Sequence, residues 1–265
     1  MDERSARAKV RVAAHGARRE AVAFARQAVL LPRDVQAPLL PPAEHVGDDD
    51  DVVVFLHGLF ASAGVLRPLR QHVTRHAGVH GAALSYAPGA DVEELARRLA
   101  ALLGEIPAHA RLHLVGHSLG GIVCRWLAAH LPDPRIVQTI SLASPFGGVR
   151  AAALIDVRGV RDLAEHSPVL RAIRLARCDV PHLSIIAADD GVAGCPVSHA
   201  LPGHEVIVVE RCGHNALLYE PRATAEVERR VLAVRGAARQ ARVRPADDAA
   251  PGGLPAGSGA AAGGS

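Results

Sequence analysis

The sequence predicts an α/β domain with about six mostly parallel strands flanked by helices. Two observations carry that prediction. From residue 52 onward, short apolar runs rich in Val, Ile and Leu alternate with stretches of helical periodicity, the pattern of strands buried on both faces and joined by crossover helices. The 265 residues, 49% hydrophobic and 22% charged, also suit one domain able to bury a core without disulfides or metals. No uninterrupted apolar run reaches the length of a bilayer-spanning helix, so a soluble chain is expected.

At the N-terminus, residues 3–31 place Val10, Ala14, Ala17, Ala21, Phe24, Ala25 and Ala28 at helical spacing, with Arg4, Arg7, Arg11 and Arg18 on another face. Such a basic amphipathic helix is suited either to peripheral contact with an anionic membrane surface or, its apolar face being mostly small Ala, to covering part of the domain. Residues 32–42 read as a Pro-rich linker, and 47–51 as an acidic turn whose aspartates are expected to be solvated rather than to hold calcium. Strands are predicted at 52–57, 80–86, 112–116, 136–143, 183–188 and 206–210, and helices at 63–76, 91–104, 119–130, 160–176 and 222–235. The organisation that follows is a helix and linker over 1–45, a domain over 46–236, and an Ala/Gly/Pro-rich tail over 237–265 that cannot bury a core and is expected to be disordered.

Charge and composition exclude several function classes. Residues 1–31 hold seven basic and three acidic side chains, more than the whole chain's excess of +3, so the domain itself carries no basic face, and aromatics are only 3%. A nucleic-acid partner is not expected. The four cysteines show no CxxC spacing, and the 15 histidines include no helical H-x-x-x-H pair with a carboxylate partner, so neither a metal nor another cofactor is expected. Reduced thiols are the default, with a Cys178–Cys195 bridge the alternative for an exported protein. The apolar stretch at 21–25 is closed by Arg26, no export signal is readable, and the cytoplasm is the default compartment.

The chemistry concentrates in Gly116-His117-Ser118-Leu119-Gly120, a G-x-S-x-G set where the strand RLHLVG stops and the helix LGGIVCRWLAAH begins. That setting is what gives the motif meaning: a sharp strand-to-helix turn forces a serine hydroxyl out over the sheet's C-terminal edge, and the helix N-terminus favours negative charge developing there. Ser118 is therefore the candidate nucleophile; the competing explanation is a serine that caps the helix. A serine needs a base, and His214, four residues past the last predicted strand, can reach back over the sheet edge. A carboxylate must orient that imidazole. Asp189 and Asp190 both lie on the loop after the preceding strand, Asp190 is favoured, and Glu210 is a distant third. The tetrahedral oxyanion needs donors, for which the backbone N–H of Leu119 and, after the turn at Gly58, that of Leu59 are the candidates.

These segments resemble the α/β-hydrolase superfamily, and within it small bacterial triacylglycerol lipases and esterases and the related lipases that deacylate glycosylphosphatidylinositol lipids. The resemblance rests on FLHGLF, VEELARRLA, LHLVGHSLGGIVCRWLA, SLASPFGGV, VRDLAEHSPVLRAI, SIIAADDGVAG and GHNALLYEP, and covers about residues 50–235. It implies ester hydrolysis by the triad Ser118, Asp190 and His214. Two positions depart from the family's pattern: Phe146 stands for a usual histidine, and Ala193 for a common proline. The stretch 147–176 is also too short for a large lid.

The resulting expectation is a serine hydrolase cleaving carboxylic esters, lipid-like acyl esters foremost, through an acyl-enzyme. The alternatives are a thioesterase or acyltransferase using the same triad, and a hydrolase-fold protein that binds a lipid or a partner without turnover. Val65, Leu66, Leu154, Ile155, Leu163, Val169 and Leu170 are candidates either for an acyl pocket or for the core.

Overall fold

Residues 3–35, 38–192 and 199–243 are described by a computed structural model. Six strands, β1 (Asp51–Leu56), β2 (Val79–Leu84), β3 (Arg111–His117), β4 (Ile136–Leu142), β5 (His182–Ala187) and β6 (Glu205–Val209), form one sheet in the order β2-β1-β3-β4-β5-β6. Every pairing is parallel. The interior strand β1 is buried along its whole length, and its alternation divides the core. Val52, Val54 and Leu56 face one cluster, with Leu95, Leu99 and Ile122 from the helices α3 (Val92–Gly104) and α4 (Leu119–His130). Val53 and Phe55 face the other, with Leu69, Val73, Val227 and Val231 from α2 (Arg67–Val73) and the C-terminal helix. Burial on both faces is why β1 reads as a continuous apolar run, whereas β6 at the sheet edge leaves Val206 and Val208 partly exposed.

The predicted strands lie within two residues of the observed ones, whereas three helices differ in form. The helix expected at 63–76 is a 3-10 turn, Ala63–Leu66, continued by α2, with Ser62 capping it by accepting from the Gly64 N–H. The helix expected at 160–176 is two: α5 (Arg158–Arg161) and α6 (Pro168–Leu175). Ser167 accepts from the Leu170 N–H at 3.2 Å and Pro168 occupies the first helical turn, a start signal that divides the apolar periodicity. The last helix, α7 (Pro221–Val243), continues into the stretch expected to be disordered, so residues 237–243 are helical; 244–265 lie outside the described residues. Cys195 of the alternative bridge and Ala193 also lie outside them.

The acidic turn is not simply solvated. Asp51 begins β1 fully buried, with Arg111 at 2.9 Å, Arg235 at 2.8 Å and His113 at 2.9 Å, while Asp50 meets His80 at 2.9 Å. Only Asp48 of the run has the largely exposed side chain the charge pattern predicts, at 88%.

Residues 3–31 do form a helix, α1 (Glu3–Leu30), and it lies on the domain. Its docked face is not the Ala-rich one. Gly16, Glu20, Ala23, Gln27 and Leu30, spaced four, three, four and three residues apart, face the protein, whereas Ala17, Ala21, Phe24, Ala25 and Ala28 remain exposed. Hydropathy misplaces the face because Glu20 and Gln27 dock through hydrogen bonds, which an apolar pattern does not register. No helix among the described residues is long and apolar enough to cross a membrane.

Candidate active site

Ser118 occupies the turn between β3 and α4 at φ 53°, ψ −121°, a conformation costly for a residue with a side chain. The turn is over-determined by its surroundings. The Ser118 N–H donates to the Leu142 carbonyl at the end of β4 (2.9 Å), and its carbonyl accepts from the Ser144 hydroxyl (2.7 Å). The flanking glycines are sterically required: a Cβ at Gly116 would come within 2.3 Å of the Gly120 carbonyl carbon and the Gly121 nitrogen, and one at Gly120 within 2.2 Å of the Leu56 carbonyl oxygen. The Ser118 side chain does not cap α4, which removes the helix-cap explanation for a serine here.

His214 follows β6 on a buried loop, and its Nδ1 lies 2.8 Å from Asp190 Oδ2. The pair is nearly inaccessible. The other Asp190 oxygen accepts from the Val192 N–H at 2.9 Å, which fixes the carboxylate. Asp189, in contrast, is exposed, and its Oδ2 lies towards Gly16 of α1. Of the two adjacent acids the structure therefore brings Asp190 to the imidazole, and Glu210 is not joined to it. Because the Asp190 carboxylate accepts at Nδ1, the neutral His214 imidazole carries its proton there and none on Nε2.

Ser118 and His214 line one cavity of about 650 Å³. The loop after β1 contributes Gly58, Leu59, Phe60 and Ala61, the segment between β4 and α6 contributes Val149, Ile155 and Leu163 among others, and α1 contributes Phe24, Gln27, Ala28 and Leu31. Leu59 thus reaches the site from the loop expected to supply an oxyanion donor, and Leu119 opens α4 directly after Ser118. Of the seven apolar candidates only Ile155 and Leu163 line the cavity. Val65, Leu66, Val169 and Leu170 are core, and Leu154 is exposed.

Two histidines that the sequence reading did not single out complete the surroundings. His57 Nε2 accepts from the Tyr86 N–H (3.1 Å), which leaves the proton on Nδ1, and Nδ1 donates it to the Gly58 carbonyl (2.7 Å). Its ring stacks on Tyr86, whose hydroxyl donates to the His57 carbonyl (2.7 Å). In a trans peptide the C=O and the following N–H point oppositely, so holding the Gly58 carbonyl back towards His57 turns the Leu59 N–H the other way. His117 donates from Nε2 to the His214 carbonyl at 3.2 Å. Burial pushes the His57 imidazole down to about 4; burial and the neighbouring His214 push His117 down to about 3. Both are neutral hydrogen-bonding groups at neutral pH. The only sequence signal for them was their position beside glycine turns, which does not distinguish them from the other histidines.

Among the described residues no group of three or more His, Cys, Asp or Glu side chains could hold a metal ion. Phe146, at the departure from the family's histidine, is buried and packs edge-on against His182 at 5.1 Å between ring centroids.

Comparison with known proteins bears on the fold and on the stretch that holds the Ser118 turn. Residues 47–159 match the family described as "Putative serine esterase (DUF676)", a stretch that includes β1, β3 and the Ser118 turn and ends before Asp190 and His214. Solved structures share the fold at low identity. A metagenomic carboxyl esterase superposes with a TM-score of 0.56 at 15% identity, covering 66% of this chain and 67% of its own. Est1E from Butyrivibrio proteoclasticus gives 0.55 at 15%, covering 76% and 94%. A metagenome-derived lipolytic enzyme of the LipS and LipT pair gives 0.55 at 18%, covering 78% and 99%. No curated protein sequence matches the chain. The chain has the α/β-hydrolase fold.

Proposed function

We propose that the protein is a serine hydrolase that cleaves carboxylic esters with apolar acyl chains through an acyl-enzyme. The observation that carries this reading is the convergence, on one largely apolar cavity, of a strained serine that caps nothing and a histidine held by a buried carboxylate. The match of residues 47–159 to a family described as "Putative serine esterase (DUF676)" supports ester hydrolysis among the chemistries the fold can host.

In this mechanism His214 Nε2 takes the Ser118 hydroxyl proton as the serine oxygen bonds to the ester carbon. The Asp190 carboxylate holds the imidazolium in place and offsets its charge. The N–H groups of Leu59 and Leu119 receive the oxyanion, aided by the N-terminus of α4. Collapse breaks the bond to the alcohol, which leaves with the proton from His214. Water then repeats the sequence on the acyl-enzyme, giving the carboxylic acid and restoring Ser118.

The test is intact-mass analysis with peptide mapping after a fluorophosphonate probe, alongside hydrolysis of p-nitrophenyl acyl esters. A single adduct at Ser118, together with loss of both adduct and hydrolysis in Ser118→Ala, is the expected result. A folded wild-type protein that takes no adduct would overturn the reading in favour of binding without turnover, and hydrolysis that survives Ser118→Ala undiminished would overturn the assigned nucleophile.

A further inference from the structure

The N-terminal helix lies outside the stretch that matches the esterase family, yet it is joined to the loop that carries His214. Its Glu20 carboxylate accepts three hydrogen bonds there: from the Asn215 N–H (2.9 Å), the Asn215 side-chain amide (2.8 Å) and the Ala216 N–H (3.0 Å). Those N–H groups open a 3-10 turn, Ala216–Tyr219, that Asn215 does not cap with its own side chain, so Glu20 caps it from a different element. Gln27, two turns further along the same face, donates to the Asn215 side-chain oxygen at 2.9 Å. Gly213 leaves room for Glu20: a Cβ there would come within 2.4 Å of its Oε2. His214 is thus bracketed by residues that α1 touches. The far end of the helix is fixed as well, since the Ser62 hydroxyl donates to the Leu31 carbonyl at 2.9 Å and Leu30 packs on the core.

The adjacent stripe of the same helix, Phe24, Ala28 and Leu31, spaced four and three residues apart, faces the cavity that holds Ser118. Phe24 is 56% exposed and Phe60, also on the cavity wall, is 64% exposed. Large apolar side chains left half open at the wall of a concave site are surface that an apolar ligand would cover.

Resting on the reading of Ser118 and His214 above, we propose that α1 is a working part of the active site. Glu20 is a positioning residue that holds the His214 loop, and Phe24 with Ala28 and Leu31 forms the wall along which an acyl chain of medium length lies, so the helix sets chain-length preference. A short acyl group bound at Ser118 does not extend to this wall; a longer one does.

The experiment uses the full chain and compares wild type, Phe24→Ala, Glu20→Gln and Glu20→Ala for kcat and KM on p-nitrophenyl acetate and octanoate, for fluorophosphonate labelling of Ser118, and for thermal midpoint. Phe24→Ala is expected to lower kcat/KM for octanoate about tenfold, while acetate stays within about twofold. Glu20→Ala is expected to lower kcat about 10²-fold on both esters with KM little changed and to slow Ser118 labelling in parallel, and Glu20→Gln, which keeps one acceptor oxygen, to recover part of the loss. If Phe24→Ala lowers acetate and octanoate equally, or neither, α1 does not read the acyl chain. If folded Glu20→Ala labels and turns over like wild type, Glu20 does not position the loop. Should Glu20→Ala fail to fold, labelling and kcat of Glu20→Gln decide the point: wild-type values overturn the positioning role. Failure of wild type itself to label at Ser118 overturns the hydrolase reading and this inference together, whereas labelling with unaltered variants overturns the inference alone.

Discussion

The Nδ1 of His57 lies 2.7 Å from the carbonyl oxygen of Gly58, so a side chain at the end of β1 holds the peptide whose N–H belongs to Leu59. If that N–H receives the oxyanion, His57 acts through it. His57→Phe keeps a ring against Tyr86 and loses the bond to Gly58; kcat is expected to fall about 10–10²-fold with KM within about threefold, less than the effect of deleting an oxyanion donor outright. Steady-state kinetics on p-nitrophenyl butyrate check this. A wild-type kcat in His57→Phe would show that the Leu59 N–H does not need the imidazole to be aimed.

Asp189 and Asp190 provide an internal control. Asp190 meets the His214 imidazole and is buried, while Asp189 is exposed one residue away. Asp190→Asn is expected to lower kcat about 10⁴-fold, because an amide can donate to Nδ1 and stabilise the wrong tautomer, with Asp189→Asn changing kcat less than about threefold. Equal losses, or a larger one at Asp189, would reassign the acid.

How far the sequence carried can be judged residue by residue. β1 was legible because it is an apolar run buried along its whole length, and the exposed edge strand β6 because Val and Ile fill it; Ser118, Asp190 and His214 were legible because each follows the C-terminal end of a strand, where the parallel sheet gathers its loops. Glu20 and Gln27 were not legible: polar residues on a helix read as solvent-facing, and their partners are backbone and amide groups some 190 residues away. Asp51 failed for a related reason. Within four consecutive aspartates nothing local marks the one whose cations, Arg111 and Arg235, arrive from β3 and α7. His57 and His117 were hidden among 15 histidines because their roles are set by backbone groups, which every residue shares.

Asp51 opens β1 at the sheet edge remote from Ser118, which follows the C-terminal end of β3. Burial raises its carboxyl pKa, and hydrogen bonds from His113, Arg111 and Arg235 outweigh that, so the group sits well below the usual carboxylate range. Removing it leaves two arginines facing a void. Asp51→Ala is expected to destabilise the fold by about 3–5 kcal/mol in urea unfolding while kcat on p-nitrophenyl butyrate, measured below the transition, stays within about twofold. A loss under about 1 kcal/mol would mean the cluster contributes little net stability.

Buried neutral histidines, His57, His117 and His182 among them, contribute to the acid limit of the fold. His57 and His117 are neutral in the folded protein down to about 4 and about 3, against 6.5 for the free side chain. An unfolded chain takes up their protons as pH falls through 6.5 and the folded one does not, so the stability these neutral rings permit is complete above 6.5 and is lost progressively between 6.5 and those lower values. Each contributes a slope of about 1.4 kcal/mol per pH unit in that window. The carboxylate cluster adds the same direction lower down: Asp51, depressed in the fold, favours the folded state above its unfolded pKa of about 3.9 and ceases to as pH falls through its folded value. Urea midpoints measured from pH 8 to pH 4.5 are therefore expected to be flat above about pH 7 and to decline below it, with a shallower decline in His57→Phe by about one histidine's slope. A midpoint that does not move between pH 7 and 5 would mean that the buried rings can take up protons in the folded state after all, and an unchanged slope in His57→Phe would mean the same of His57.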